Sequence, residues 1–138
     1  MIEHPFALLA PFKETIDVKF FTREDDVSDD ASVEKALGTN RFVTLDQMHG
    51  NKTFIADAAA TSTKDLTLVM RIADCQPFVM YAPKHNVIGM IHAGWKGVAA
   101  GMIPAFFRKI SDEWGIAPRD TFVCAGPSLC LQCAGFTD

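Results

Sequence analysis

The chain has 138 residues, enough to bury one hydrophobic core, and 49% hydrophobic with 22% charged residues is the composition of a globular protein. A formal net charge of −4 argues against a sequence-independent nucleic-acid binder, which needs a basic face. The first residues lack the basic start of a secretory signal and the apolar length of a membrane span, so the four cysteines favour free thiols or metal ligands. We therefore predict one cytoplasmic domain over residues 1–138, with no nucleic-acid or membrane partner.

The first half of the chain predicts short elements separated by polar turns. Runs of apolar residues indicate strands, a candidate N-cap followed by a terminating glycine indicates a short helix, and small polar residues indicate loops. In chain order these are a strand over 17–22, a helix over 32–37 ended by Gly38, a strand over 42–47, an extended segment over 52–56 and a loop over 57–65.

The second half carries the most informative stretch, residues 66–101. It predicts two apolar strands joined by a turn at Pro83–Asn86, with Cys75 after the first strand and His92 after the second. A helix over 97–114 follows, with apolar residues recurring every four positions. Pro104 predicts either a kink in that helix or a helix proper that begins near it. Gly115 ends the helix, and residues 121–125 form a last strand.

Three side chains that bind metals well follow apolar segments: His49, Cys75 and His92. They are far apart in the sequence, so no local spacing rule applies, and each residue type is also common in ordinary cores. Two imidazoles and one thiol suit zinc with an open fourth position, which is the form of a catalytic rather than a structural site.

Charged residues stand close to the same strand ends. Asp74 is a candidate for orienting an imidazole or a metal-bound water, although a turn hydrogen bond is equally compatible with its position. Arg23, Arg71 and Lys96 are candidate anion ligands. Lys96 lies in the first turn of the predicted helix, where a cation is favourable if an anion binds there; solvated surface charge is the alternative.

The remaining cysteines are Cys124 and the CxxC pair of Cys130 and Cys133. A redox CxxC normally begins a helix, whereas this one follows Gly126-Pro127-Ser128. We therefore interpret these three as ordinary loop thiols rather than as a disulfide or a redox pair.

Five short motifs occur in one order along the chain. They are Gln47-Met48-His49-Gly50, Ala56-Asp57-Ala58, Ala73-Asp74-Cys75-Gln76-Pro77, His92-Ala93-Gly94-Trp95-Lys96-Gly97 and Gly126-Pro127-Ser128-Leu129-Cys130. The series resembles the YfiH/laccase-domain family, also called polyphenol oxidase or DUF152-like proteins, and Phe21-Thr22-Arg23 resembles a further motif of that family.

The resemblance implies a single-domain, layered α/β sandwich of mixed sheets flanked by helices, shortened here at the C-terminus. It implies zinc ligands at His49, Cys75 and His92, with copper the less favoured metal. It also implies purine nucleoside and phosphate as substrates: phosphorolysis of adenosine, inosine and methylthioadenosine, and deamination of adenosine. Arg23 matches the phosphate-site arginine of the family.

The leading hypothesis is therefore a zinc-dependent purine nucleoside phosphorylase or adenosine deaminase, monomeric or homodimeric. Its catalytic residues are Arg23, Asp74, Cys75 and His92, and its substrate and phosphate contacts come from Arg23, Arg71, Gly94, Trp95, Lys96 and Gly97.

Three rivals stay open. The first is a metal-free cysteine hydrolase with Cys75 as nucleophile and His92 as base. The second is a multicopper polyphenol oxidase, although a multicopper centre needs more imidazoles than the four histidines of this chain provide. The third is a non-catalytic zinc-binding remnant.

Overall fold

The computed structural model describes residues 1–45, 57–130 and 132–133. The chain forms two compact units, Met1–Phe42 and Val43–Asp138. His49 and the segment predicted to be extended over 52–56 lie outside the described residues, as does the end of the strand predicted over 42–47. No helix among the described residues is both long and apolar enough to cross a membrane.

The first unit begins with a short pair of strands. Strand β1 (Ile2–Glu3) pairs antiparallel with β2 (Lys19–Phe20). The strand predicted over 17–22 is thus limited to two residues. It ends early because Thr22 caps a 3-10 turn over Arg23–Asp25, and the Asp25 carboxylate accepts from the Thr22 backbone N–H at 2.6 Å.

Helix α1 spans Asp30–Leu37 and begins two residues before the predicted start. Asp29 is its N-cap: the Asp29 carboxylate accepts from the Ser32 backbone N–H at 2.8 Å, and the Ser32 hydroxyl accepts from the Asp29 N–H at 3.1 Å. This reciprocal pair satisfies two donors that a helix end leaves open. Gly38 ends the helix, as predicted.

The other strands form a pair and a four-stranded sheet. They are β3 (Phe42–Leu45), β4 (Ala58–Thr61), β5 (Thr67–Met70), β6 (Gln76–Ala82), β7 (Val87–Ala93) and β8 (Phe122–Ala125). β3 lies beside β5, and the larger sheet has the order β4-β7-β6-β8 with antiparallel neighbours. Together with the helices, these sheets confirm the predicted α/β class.

Two predicted boundaries are wrong. Residues 57–65 are not all loop, because β4 pairs with β7 and places Ala58 opposite Ile91. Alanine has low strand propensity, so the sequence pattern missed a strand that cross-strand pairing stabilises. Residues 66–92 hold three strands rather than two. Cys75 therefore precedes β6 instead of following the first strand, and His92 lies inside β7.

The predicted helix over 97–114 is two helices, α2 (Trp95–Ala99) and α3 (Met102–Trp114). Gly101 separates them in the left-handed region, with φ +79°. Pro104 lies in the first turn of α3, where its missing N–H leaves no intrahelical bond unmade. The alternative in which the helix proper starts near Pro104 is therefore correct.

Helix α3 packs against one face of the four-stranded sheet. Within the second unit the shared core contains Ala58, Met80, Ala82, Val87, Ile91, Ala93, Met102, Phe106, Ile110 and Ile116. Successive side chains of a strand point to opposite faces. Because Val87, Ile91 and Ala93 face α3, His92 lies on the other face of β7.

Gly89 allows α3 to approach the sheet. A β-carbon added at Gly89 would lie 2.8 Å from Cζ of Phe106 and 2.9 Å from Cε of Met80, both inside normal contact distance. We expect Gly89→Ala to destabilise the fold by about 1–3 kcal/mol through overpacking.

Urea unfolding followed by circular dichroism measures this effect. Gly97→Ala is the matched control, since its added carbon would meet the flexible end of Met102 at 3.3 Å and should change stability by less than about 1 kcal/mol. Equal unfolding midpoints for the two variants would contradict the packing described here.

Candidate active site

Antiparallel pairing brings Cys75 and His92 together. Pro77 lies opposite His92 and Gln76 opposite Ala93, so Cys75, one residue before β6, comes beside Gly94, one residue after β7. A β-carbon at Gly94 would lie 3.3 Å from the Cys75 sulfur and 3.8 Å from Cε1 of His92. The thiol and the imidazole therefore border the same small space, which Gly94 keeps open by having no side chain.

Asp57 holds His92 twice. The His92 backbone N–H donates to the Asp57 carbonyl at 2.7 Å, and Nδ1 of the imidazole lies 3.0 Å from Oδ1 of the Asp57 carboxylate. The first contact extends the β4–β7 ladder, and the second fixes the rotation of the ring. Only 5% of the His92 side chain is exposed, so solvent competes little for this contact.

This contact determines which ring nitrogen is available. An ionised carboxylate can only accept, so Nδ1 carries the hydrogen and donates to Asp57. In the neutral ring Nε2 then keeps its lone pair, which is the form of a histidine that binds a metal or accepts a proton.

Cys75 is half-buried among negative groups. Burial raises the pKa of the Cys75 thiol, and the carboxylates of Asp74 and Asp57 raise it further. The charged thiolate is thus disfavoured unless a cation offsets the two carboxylates. Sulfur and imidazole nitrogen are the donors that Zn²⁺ takes at about 2.0–2.3 Å. The donor types and the open space at Gly94 therefore fit a divalent ion.

Two of the three predicted metal ligands, Cys75 and His92, lie among the described residues. In the part of the chain that the structure describes, no group of three His, Cys, Asp or Glu side chains is arranged to hold a metal. His49, the predicted third ligand, lies outside that part. The structure places Cys75 and His92 beside one another where β6 begins and β7 ends, and the role of His49 stays a prediction.

Asp57 is the site residue that sequence reasoning missed. The role of orienting the imidazole was predicted for Asp74, whose side chain is exposed, whereas Asp57 makes that contact. Asp57 does stand in the Ala56-Asp57-Ala58 motif, but a residue assigned to a loop gave no reason to place it beside His92. A role for Asp74 in moving protons stays a prediction.

Helix α2 carries an exposed aromatic platform next to Gly94. Trp95 is 66% exposed, and Nζ of Lys96 lies 5.5 Å from the centroid of its indole ring, a cation–π contact. Trp95 is thus not a core residue, and Lys96 is indeed in the first turn of a helix.

The two candidate arginines lie elsewhere in the chain. Arg71 is partly buried after β5. Arg23 belongs to the first unit, and its phosphate role stays a prediction.

Comparisons with known proteins give consistent matches. A family model described as multi-copper polyphenol oxidoreductase laccase matches residues 21–138. A purine nucleoside phosphorylase of Deinococcus radiodurans is 33% identical over 124 residues, which cover 77% of this chain and 49% of that protein. One of Bacteroides thetaiotaomicron is 34% identical over 86 residues, covering 62% of this chain and 30% of that protein.

A solved crystal structure also aligns with most of this chain. The crystal structure of YlmD from Geobacillus stearothermophilus aligns with a TM-score of 0.64 and 26% identity, covering 82% of this chain and 48% of that one. The chain thus spans half or less of the length of each of these proteins, and the fold of the matched part is that of YlmD.

We expect Asp57→Asn to weaken zinc binding by about 10–100-fold, because the amide can donate to Nδ1 and so favour the tautomer with a proton on Nε2. Competition with a chromophoric chelator measures the affinity. Asp74→Asn is the matched control, since it removes the same charge from a side chain that is exposed. A larger loss in Asp74→Asn than in Asp57→Asn would show that Asp74, not Asp57, supports the ligand.

Gly94→Ala tests the space between the two donors. The backbone at Gly94, φ −72° and ψ 150°, suits any residue, so the variant should fold, but its methyl group would crowd the Cys75 sulfur. We expect zinc affinity to fall roughly tenfold, with the thermal midpoint little changed. Ala99→Ser adds one heavy atom at an exposed position of α2 and should bind zinc as the wild type does. Unchanged affinity in Gly94→Ala would mean that the ion does not bind beside Gly94.

Proposed function

Because this chain belongs to the multi-copper polyphenol oxidoreductase laccase family, we propose that it acts as a purine nucleoside phosphorylase-type enzyme. The relatives from Deinococcus radiodurans and Bacteroides thetaiotaomicron are named purine nucleoside phosphorylases. The observation that carries the proposal is the junction of Cys75 and His92 at Gly94, with Asp57 behind the imidazole. This is a preorganised pair of donors where the start of β6 meets the end of β7, next to the first residue of α2.

We propose zinc as the cofactor, held by His49, Cys75 and His92. Asp57 supports this assignment because it leaves Nε2 of His92 available, and Gly94 supports it by leaving room beside the thiol. A zinc ion at this position would act as a Lewis acid and lower the pKa of a water molecule. The proposed cofactor also explains why a thiol is placed near two carboxylates that otherwise disfavour its ionised form.

For phosphorolysis, the proposed task of the chain is to place phosphate against the ribose carbon that carries the base. Arg71 and Lys96 of the second unit supply positive charge, and the backbone N–H groups at Gly94 and Gly97 supply donors. Arg23, in the first unit, is proposed as a phosphate ligand on the family resemblance alone. The exposed indole of Trp95 offers a flat surface for a purine ring, for which stacking on an aromatic side chain is favourable. Adenosine, inosine and methylthioadenosine are the proposed nucleosides.

For deamination of adenosine, water attacks the purine carbon that bears the amine, and a base must take one proton and return it to the leaving ammonia. We propose Asp74 for this transfer, since its exposed carboxylate is next to Cys75 and does not hold the imidazole. Asp57 is less suited, because its carboxylate is already engaged by Nδ1 of His92.

The rival hypotheses receive less support. A metal-free cysteine hydrolase needs a thiol that ionises readily, and burial together with Asp74 raises the pKa of Cys75 instead. A multicopper oxidase needs many imidazoles. Of the four histidines, His4 lies near Asp17 in the first unit and His85 is exposed in the turn after β6.

Zinc content and nucleoside turnover in the wild type and in His92→Ala test the proposal. We expect His92→Ala to lose bound zinc and to lower the rate at least about 100-fold, in line with removal of a group that acts in the reaction. His92→Gln, closer in size, guards against misfolding, and His85→Ala is the control with an exposed imidazole removed.

The products separate the possible activities. Phosphate-dependent release of free base indicates phosphorolysis, whereas inosine formed from adenosine without phosphate indicates deamination. Full turnover by folded, zinc-free His92→Ala would overturn the zinc-enzyme proposal. Bound zinc without turnover of any nucleoside would favour the non-catalytic remnant.

A further inference from the structure

The CxxC pair at Cys130 and Cys133 brings two thiols into direct contact. Their Sγ atoms lie 3.0 Å apart, and the Cys133 backbone N–H donates to the Cys130 carbonyl at 3.0 Å, closing a tight turn. Both side chains are exposed, and the Cys130 sulfur also lies 3.7 Å from Oε1 of Gln132. The two thiols are thus within reach of one another and of a molecule in solvent.

The chain that leads to this pair is fixed at its start. The Gly126 backbone N–H donates to the Pro77 carbonyl at 2.8 Å, and the Gln76 side-chain amide donates to the Gly126 carbonyl. These bonds continue the β6–β8 ladder by one residue beyond Ala125. The dithiol therefore follows closely on an anchored strand end.

We propose that Cys130 and Cys133 form a redox-active dithiol that exchanges with low-molecular-weight disulfides such as oxidised glutathione. This role is separate from the zinc site, which uses Cys75. It differs from our interpretation of the sequence, in which the pair was ordinary because no helix begins at the CxxC. The direct contact between the two sulfurs takes the place of a helix end in stabilising a thiolate.

The two cysteines have different tasks. The contact with Cys133 lowers the pKa of Cys130, and the contact with Cys130 raises the pKa of Cys133. A thiolate is the nucleophile in exchange, and a thiol that ionises first attacks first. Cys130 is thus the attacking residue and Cys133 the resolving one.

The exchange balances in two steps. The Cys130 thiolate attacks one sulfur of the disulfide, forming a mixed disulfide and releasing one glutathione thiolate, which takes up the proton that Cys130 lost. The Cys133 thiolate then attacks the Cys130 sulfur, closing the Cys130–Cys133 disulfide and releasing the second glutathione, protonated in the same way. The protein dithiol loses two electrons and oxidised glutathione gains them.

Exchange is favoured over metal binding at this pair. A structural zinc is closed by four protein ligands, and this pair supplies two. In the described part of the chain these thiols do not belong to any group of three His, Cys, Asp or Glu side chains placed to hold a metal. An exposed sulfur pair with no third donor among the described residues is better suited to exchange.

Chelator-treated full-length protein in glutathione buffers of increasing oxidised fraction tests the proposal. Rapid alkylation followed by peptide mass mapping identifies the state of each cysteine. We expect an intramolecular Cys130–Cys133 disulfide to form while Cys75 and Cys124 stay reduced. Cys133→Ser should accumulate a mixed disulfide at Cys130, and Cys130→Ser should react at least about tenfold more slowly than Cys133→Ser.

Cys124→Ser is the control, since it removes a buried thiol and should leave the exchange unchanged. A dithiol that stays reduced in excess oxidised glutathione would overturn the proposal. So would equal rates for Cys130→Ser and Cys133→Ser, disulfides that join two chains, or tight zinc binding by this pair in place of exchange. These outcomes leave the zinc proposal untouched, because Cys75 is followed separately in the same peptide map.

Discussion

The double contact between Asp57 and His92 is the constraint on which the site depends. One contact belongs to the β4–β7 ladder and the other to the side chains, so the strand pairing that builds the sheet also sets the orientation of the imidazole. Alternate residues of β7 point to opposite faces of the sheet. One set packs on α3, where Gly89 lets Phe106 approach, and the alternate set carries His92 on the opposite face. Core packing and chemistry are thus separated by a single residue step along one strand.

Local signals predicted much of this fold. The glycines at the ends of α1 and α3, the turn at Pro83–Asn86 and the last strand were all read from residue type, because each depends on the conformation of a few neighbouring residues. Strand β4 was missed because an alanine-rich segment has little strand preference of its own. The strand forms because it pairs with β7, about 30 residues further along the chain. The strand propensity of each residue carries no information about such a distant partner.

Two residues of the candidate site were predicted from the sequence, and a third was not. Cys75 and His92 stood out because metal-binding side chains next to apolar strands are conspicuous, and the pairing of β6 with β7 brings them together. Asp57 could not be found from its neighbours alone, since its importance comes from lying opposite His92 in the strand register. Asp74, adjacent to Cys75 in sequence, was the natural choice. Adjacency in the sequence was a poorer guide here than pairing across the sheet.

The exposure of Trp95 gives this protein a built-in optical probe. It is one of two tryptophans, and the other, Trp114, packs partly against the core, so the two indoles should emit at different wavelengths. A ring that stacked on Trp95 would displace water from it and change its fluorescence, while Trp114 would serve as an internal reference. Occupancy of the surface beside Gly94 can therefore be followed without a label, even for molecules that are bound but never converted.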